Sequence, residues 1–235
     1  MKRVKLLLLS TSLLALSLGA SSNVYADTVV APNANTNTNG STVQFEVFGE
    51  TGGSAFQIDI AASQLTSIVG QQIDAVGFRL PGGASSVASA TISGFNLELS
   101  GSANPIGSLS GTQSANIGAN AQIVDSGTLV LSGLVGGAGP NPFFLVNFST
   151  PYLYTGGDLL ITETYTGSTV NFAVDANPWS TLVDTVGPGS GAQFFNGPVT
   201  ELVTNATPPV PEPGSLMLLG TGIVGLAGVV RRRFV

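Results

Sequence analysis

Apolar and polar residues alternate with a period of two along most of the middle of the chain. The first such run places Val43, Phe45 and Val47 on one side, and a second run covers residues 56–60. This period is typical of a half-buried β-strand, whose successive side chains point to opposite faces. Turn-forming glycines separate the two runs, so the pattern predicts that they form a hairpin.

The same alternation recurs further along the chain, interrupted by Gly, Pro, Asn and Ser. The later runs are residues 76–80, 95–99, 123–131, 143–148, 159–165, 170–174 and 199–203. Away from the chain ends, only residues 63–72 have the composition of a short helix. About nine or ten strands joined by short turns predict an all-β fold, an antiparallel β-sandwich that is jelly-roll-like or immunoglobulin-like.

The first residues have the layout of a secretory leader. A basic start, residues 1–5, precedes an apolar run at residues 6–18, and Val24-Tyr25-Ala26 ends the segment. These are the three parts that the export machinery and signal peptidase recognise. We therefore predict a signal peptide with a signal helix at residues 1–26 and a mature chain that starts at Asp27.

The next segment is polar. Residues 31–41 read A-P-N-A-N-T-N-T-N-G-S and offer almost no apolar side chain to bury. Such a composition is typical of an unstructured connection. The sequence thus predicts a flexible linker at residues 27–41 and a β-sandwich domain at residues 42–206.

Three features follow one another at the C-terminal end: the tetrapeptide Val210-Pro211-Glu212-Pro213, an uncharged apolar run at residues 216–230, and Arg231, Arg232 and Arg233. At about 1.5 Å per helical residue the run is about 23 Å long, shorter than a hydrocarbon core of about 30 Å. Prolines exclude the preceding residues from a helix interior. We predict a transmembrane helix at residues 214–230, with the three arginines held on the cytoplasmic side.

In this order the three features resemble the PEP-CTERM sorting signal, here residues 207–235. The resemblance implies a Gram-negative bacterium that makes exopolysaccharide, and an exosortase, a membrane protease-transpeptidase that reads Val210 to Pro213 and removes the tail. It implies a protein that is anchored in the inner membrane during transit and then reaches the cell surface or the extracellular medium. Similar tails are attached to some ice-binding proteins, although this chain has no regular threonine array.

Three segments of the central region also resemble a β-sandwich that recurs in front of PEP-CTERM tails. They are I-D-A-V-G-F-R-L at residues 73–80, F-N-L-E-L-S at residues 95–100 and T-P-Y-L-Y-T-G-G-D-L-L-I at residues 150–161. The resemblance implies the fold, and it implies no activity.

Charge is distributed very unevenly between the ends and the middle. Six of the seven basic residues lie in residues 1–5 and 231–233, which leaves Arg79 as the only cation between residues 27 and 209. All 13 acidic residues except Glu212, that is 12, fall in the same stretch. A domain with this much negative charge repels nucleic acid and acidic lipid. We expect Arg79 to form an intramolecular ion pair at the end of its strand.

The residue types exclude several kinds of catalysis. There is no His and no Cys, so a Ser-His-Asp triad, a cysteine nucleophile, common zinc sites and haem ligation are all ruled out. No phosphate-binding loop is present, and we expect no cofactor and no catalytic residue. Glu98 and Glu163 are the carboxylates that a glycoside hydrolase would need, but strand alternation predicts that both face solvent.

Two further groups of residues are candidates for ligand binding. Asp158, Asp175 and Asp184 lie near polar loops but lack the spacing of a calcium loop, so we expect solvated acids and no metal site. Trp179, Tyr152 and Tyr154 are candidate ligand contacts, because aromatic faces can stack on sugar rings.

Three functional hypotheses follow. The first is a non-catalytic surface or matrix protein associated with exopolysaccharide or biofilm. The second is a carbohydrate-binding module, and the third is a carboxylate-based hydrolase. The expected partners are signal peptidase, exosortase and the inner membrane.

Overall fold

A computed structural model describes residues 27–44, 47–178, 182–187, 193–194 and 196–205. Over these residues the protein is all-β with antiparallel sheets, which confirms the predicted all-β class. No helix among them is long and apolar enough to cross a bilayer. The predicted signal helix and the predicted helix at residues 214–230 lie outside the described residues.

Fourteen strands make up this part of the chain. In order they are β1 Asp27–Ala31, β2 Thr42–Gln44, β3 Ser54–Ile60, β4 Gln72–Phe78, β5 Val87–Gly101, β6 Gln122–Leu134, β7 Phe144–Leu153, β8 Leu159–Tyr165, β9 Gly167–Ser168, β10 Val174–Pro178, β11 Val183–Val186, β12 Gln193–Phe194, β13 Asn196–Pro198 and β14 Thr200–Asn205.

These strands form three sheets. The largest has the order β12-β11-β3-β8-β5-β6, with β9 also paired to β5. A second sheet has the order β1-β14-β4-β7, and a small third sheet has the order β13-β10-β2. The predicted hairpin is therefore wrong: β2 pairs with β10 in the third sheet, whereas β3 pairs with β8 and β11 in the largest sheet.

One hydrophobic core is shared by the two larger sheets. Phe56, Ile58 and Ile60 of β3 alternate along the inner face of the largest sheet, and Val76 and Phe78 of β4 come from the second sheet. Removing each such side chain from water contributes about 1.5–3 kcal/mol, so this shared core is what holds the layers together.

Most predicted runs become strands, but their lengths differ. β8 has the predicted bounds, whereas β5 and β6 extend well beyond the runs at residues 95–99 and 123–131. The run at residues 170–174 is displaced, because β10 begins only at Val174. In place of the predicted helix at residues 63–72 there are two 3-10 turns, Ala62–Gln64 and Thr66–Ile68.

The predicted flexible linker at residues 27–41 is wrong. Its first five residues form β1, which pairs with β14 in the register Asp27↔Thr204, and Val29, Val30 and Ala31 are buried. Burial of these apolar side chains and strand pairing outweigh the polar composition of the residues that follow. The domain accordingly begins near Asp27, and its compact unit is Ala26–Ala206.

A polar layer covers part of the outer face of the largest sheet. The side chain of Gln57 donates to Thr162 Oγ1 at 3.0 Å and accepts a hydrogen bond from Asn116 Nδ2 at 2.9 Å. Asn116 is fully buried and belongs to the long connection at residues 102–121. Because a buried amide without partners is costly, these contacts fix that connection against the sheet.

Candidate functional site

The only cation between residues 27 and 209 is buried and paired. Arg79 follows the last residue of β4, and its Nε donates to Oδ2 of Asp175 on β10 at 2.9 Å. Both side chains are 1% exposed. The predicted ion pair of Arg79 is therefore confirmed, whereas Asp175, predicted to be a solvated acid, is not solvated. A buried guanidinium needs such a partner because desolvation of an unpaired charge is costly.

Two further groups complete the surroundings of the guanidinium. Arg79 Nη2 donates to the carbonyl oxygen of Thr38, and the Cζ atom lies 4.9 Å from the centre of the Phe143 ring. A cation over an aromatic face is stabilised by the ring quadrupole. Arg79 thus ties β4 to the segment that precedes β2 and to the residues just before β7.

Asp175 is held from the other side by the backbone of Gly40. The Gly40 amide donates to both carboxylate oxygens, at 2.9 and 3.0 Å. A Cβ atom at this position would lie 2.0 Å from the carbonyl oxygen of Ala176. Only glycine therefore allows the chain to approach β10 closely enough for these hydrogen bonds.

A second acidic group interacts electrostatically with Arg79. Glu201 on β14 is paired in register with Gly77 on β4, two residues before Arg79. Burial raises the pKa of the Glu201 carboxyl above its ordinary value, and the positive charge of Arg79 partly opposes that shift by lowering it. Arg79 therefore interacts with two acidic groups, Asp175 and Glu201, within one small region of the domain.

A cleft of about 450 Å³ lies beside the ion pair. It is lined by residues 39–43, residues 81–83, Ala138 and Asp175. This volume is within the range of small-molecule sites, about 300–1,000 Å³. The walls present an amide, hydroxyls, backbone groups and one carboxylate, with apolar surface from Val43 and Pro81.

The rim of the cleft is built on close backbone contacts around Asn39. Its Nδ2 donates to the carbonyl oxygen of Ala138 at 3.3 Å. A Cβ atom at Gly82 or at Gly139 would come within 2.4 Å of the Asn39 amide, and Gly139 has a φ of +80°. These glycines leave room for the amide, so the position of the rim depends on the backbone at Gly82 and Gly139.

The two predicted tyrosine contacts are not at the surface. Tyr152 is 4% exposed and Tyr154 is 2% exposed, and both belong to the hydrophobic core. Tyr154 donates its hydroxyl hydrogen bond to the carbonyl oxygen of Gly157. Neither ring offers a face to a sugar, so this expectation is corrected; Trp179 lies outside the described residues.

Burial also changes the acidity of these phenols. It raises the pKa of Tyr152, and it raises the pKa of Tyr154 to about 12, with a further upward contribution from the negative charge of Asp158. Neither phenol ionises near neutral pH, in keeping with a role in packing.

The two carboxylates considered for hydrolysis lie on opposite faces of one sheet. Glu163 on β8 pairs with Leu97 on β5, whereas Glu98 pairs with Thr162. Paired residues share a face and neighbours along a strand alternate, so Glu163 points to the core side and Glu98 away from it. The prediction that both face solvent is wrong for Glu163, which is 1% exposed.

The three aspartates considered for calcium binding have different partners in the structure. Asp158 Oδ1 accepts a hydrogen bond from the Ala62 amide at 2.8 Å, and Asp175 neutralises Arg79. Asp184 is on β11, opposite Asp59 in the backbone register. No group of three or more acidic side chains with the arrangement of a metal site occurs in the part of the chain that the structure describes.

Sequence reasoning missed Asp175, Gly40 and Asn39 as partners in one site. A lone cation required some acidic partner, but nothing in the sequence selects one of 12 acids. The polar composition of residues 31–41 predicted an unstructured connection, and nothing in it indicated that Asn39 and Gly40 lie beside β10.

One segment of the chain matches a known protein family. Residues 209–233 match the family model of the PEP-CTERM protein-sorting motif, about a tenth of the chain. They include Val210 to Pro213 and the three terminal arginines, which all lie outside the described residues. A search of curated proteins found no match.

Proposed function

Since the chain carries the PEP-CTERM sorting signal of an exported, exosortase-processed protein, we propose that it is a non-catalytic protein of the cell surface or extracellular matrix. In this proposal its β domain associates with an uncharged exopolysaccharide. The sorting signal carries the proposal, because it identifies the route by which the domain leaves the cell.

The charge of the domain supports an uncharged partner. Arg79 is the only basic residue between residues 27 and 209, and it is buried against Asp175. The surface of this stretch therefore carries negative charges and neutral polar groups, with no cation. Such a surface repels acidic polymers and leaves hydrogen bonding as the means of contact with a polysaccharide.

The arrangement of the acids supports a non-catalytic role. A carboxylate-based glycosidase needs two carboxyl groups about 5–10 Å apart in one cleft. Glu98 and Glu163 are on opposite faces of the sheet, and Glu163 is in the core. Asp175, the acid that lines the cleft, is occupied by Arg79 and Gly40.

The second candidate, a dedicated carbohydrate-binding module, is favoured by the cleft beside Asp175. It does not depend on aromatic stacking by Tyr152 or Tyr154, since both rings are buried.

Fractionation of an exosortase-containing host tests the proposal. The full chain should co-sediment with the exopolysaccharide and should be released when that polymer is enzymatically depolymerised. In a strain that makes no exopolysaccharide it should appear in the medium. Equal retention in both strains would contradict association with the polymer. Release of reducing sugars by the purified chain, lost in Glu98→Gln or Glu163→Gln, would contradict the non-catalytic role.

A further inference from the structure

The walls of the cleft beside Asp175 are dominated by hydrogen-bonding groups. Asn39 supplies an amide, Ser41 and Thr42 supply hydroxyls, and Gly82 and Gly83 supply backbone groups. Donors and acceptors are thus both present along one small concave surface. A ligand rich in hydroxyl groups, each of which can donate and accept, matches such a lining.

The charge balance of the cleft favours an uncharged ligand. The carboxylate of Asp175 lies 2.9 Å from Arg79 Nε and accepts the amide of Gly40 through both oxygens. Its charge is already compensated, so a cationic ligand would have to compete with a buried guanidinium. An anionic ligand would meet a domain with 12 acidic residues and one cation.

Two apolar side chains lie among these polar groups. Val43 and Pro81 line the cleft and are half-buried. A pyranose ring has an apolar C–H face beside its hydroxyl groups, and aliphatic side chains can cover that face in place of an aromatic ring. The cleft therefore offers both kinds of contact that a sugar unit requires.

The rim of the cleft is held by hydrogen bonds and close backbone contacts. The Asn39 amide is enclosed by Gly82 and Gly139 and bonded to Ala138, and the segment before β2 is fastened to β10 through Gly40. A rim restrained by such contacts has little conformational entropy to lose when a ligand binds.

We propose that this cleft binds a single neutral sugar unit within an uncharged polysaccharide. The inference rests on the proposed function and names the site and the ligand class through which it acts. Asn39, Ser41 and Thr42 contact the hydroxyl groups, and Val43 and Pro81 cover the apolar face of the ring. Arg79 is not among the residues that line the cleft, and it neutralises Asp175 beside it.

Amide spectra of the full chain test the site directly. The protein is labelled with ¹⁵N-glycine and held in a detergent that carries no sugar headgroup. It is titrated with the methyl glycosides of glucose, galactose and mannose. At least one glycoside should shift the amides of Gly40, Gly82 and Gly83 saturably. The amides of Gly101, at the opposite end of β5 from Val87, and of Gly127, which pairs with Phe95, should stay unchanged. No saturable shift with any of the three glycosides would overturn the proposal.

Matched variants separate the cleft from the rest of the surface. Ala138→Phe fills the cleft and should weaken Kd at least tenfold, whereas Ala119→Phe, an exposed alanine on another loop, should not change it. Asn39→Ala should weaken binding about three- to tenfold, the effect of one or two hydrogen bonds. Asn37→Ala, exposed on the same segment but outside the cleft, is its control. Unchanged affinity in Ala138→Phe would place the binding elsewhere.

Charged sugars test the ligand class. Glucuronate and glucosamine should bind more weakly than methyl glucoside, and tighter binding of either would overturn the neutral assignment. The outcome is distinguishable from that of the fractionation experiment. If the chain co-sediments with the polymer but Ala138→Phe does so equally, the cleft proposal fails and the proposed function stands. If neither the unchanged chain nor Ala138→Phe co-sediments with the polymer, the cleft proposal and the proposed function both fail.

Discussion

Arg79 Nε and Asp175 Oδ2 lie 2.9 Å apart in the folded protein, although 96 residues separate them in the sequence. Around this pair the segment before β2, the end of β4 and the start of β10 are joined, because Arg79 also binds the carbonyl of Thr38 and Asp175 binds the amide of Gly40. One pair of opposite charges therefore fixes three distant parts of the chain.

Removing the cation alone should be strongly destabilising. Arg79→Met leaves the Asp175 carboxylate buried without its counter-charge, and we expect a loss of about 3–5 kcal/mol in the free energy of unfolding. Urea denaturation followed by circular dichroism measures this loss.

A double-mutant cycle is the control for that measurement. Asp175→Asn keeps the shape of the side chain without its charge, so adding it to Arg79→Met should recover part of the lost stability. If the loss in free energy of unfolding of the double variant equals the sum of the losses of the two single variants, the two charges do not interact energetically.

Gly40 should tolerate no side chain. In Gly40→Ala the new Cβ atom would lie 2.0 Å from the Ala176 carbonyl oxygen, so the segment must move away from β10 and weaken its hydrogen bonds to Asp175. Forced shifts of this kind cost about 1–3 kcal/mol.

Gly52 provides the matched substitution. A Cβ atom there meets nothing within 4 Å, and Gly52→Ala should leave stability unchanged or raise it by up to about 1 kcal/mol. Denaturation midpoints for the two variants give the comparison. Similar midpoints would mean that the close approach at Gly40 is unimportant.

Stability should fall in strong alkali through Tyr154. Its pKa is raised from 10.0 to about 12, chiefly by burial, so the folded state keeps the phenol proton that the unfolded state loses first. The contribution of this group is therefore complete below pH 10 and is lost as pH rises towards about 12.

Tyr154→Phe removes this titration. Its free energy of unfolding should decline less steeply above pH 10 than that of the unchanged protein, and ultraviolet titration of the tyrosinates should lose a group that ionises near pH 12. Parallel pH profiles of the two proteins would show that Tyr154 does not titrate as a buried group.

The sorting motif makes a separate prediction. Changing Glu212 and Pro213 to Ala should leave the full-length chain in the inner membrane with its tail uncut, because we expect exosortase recognition to depend on this tetrapeptide within the matched motif. Immunoblots of membrane and medium fractions follow the processing. Asn205→Ala, at the exposed end of β14 and before the predicted signal at residues 207–235, should be processed normally. Normal processing of the Glu212 and Pro213 variant would contradict the assignment.

Local alternation predicted the strands well where it was strong. The bounds of β8 follow from the sequence because Leu159, Ile161 and Tyr165 share one phase of a period of two. Its period also carried a signal that the prediction overlooked: Glu163 shares the phase of Ile161 and Tyr165 and therefore faces the core. The first part of β5, rich in Ser and Ala, has too little contrast between its two faces to be recognised.

Pairing over long separations could not be predicted. β2 appeared to pair with the next strand, yet its partner is β10, because neighbouring runs carry no information about sheet membership. The candidate site depends on the same kind of contact. Asn39 and Gly40 were assigned to a linker from their composition, and only folding brings them to Asp175, which is 135 residues from Gly40.

The position of β14 has a consequence for the order in which the domain can assemble. It lies between β1 and β4, and Thr204 Oγ1 reaches back across 177 residues to the Asp27 carbonyl. Because β14 comes from the last residues of the domain, the second sheet stays open in its middle until almost all of the chain has been translocated. β14 and the sorting motif a few residues beyond it are translocated almost together. The domain can therefore complete its fold at nearly the same time as the sorting motif becomes accessible.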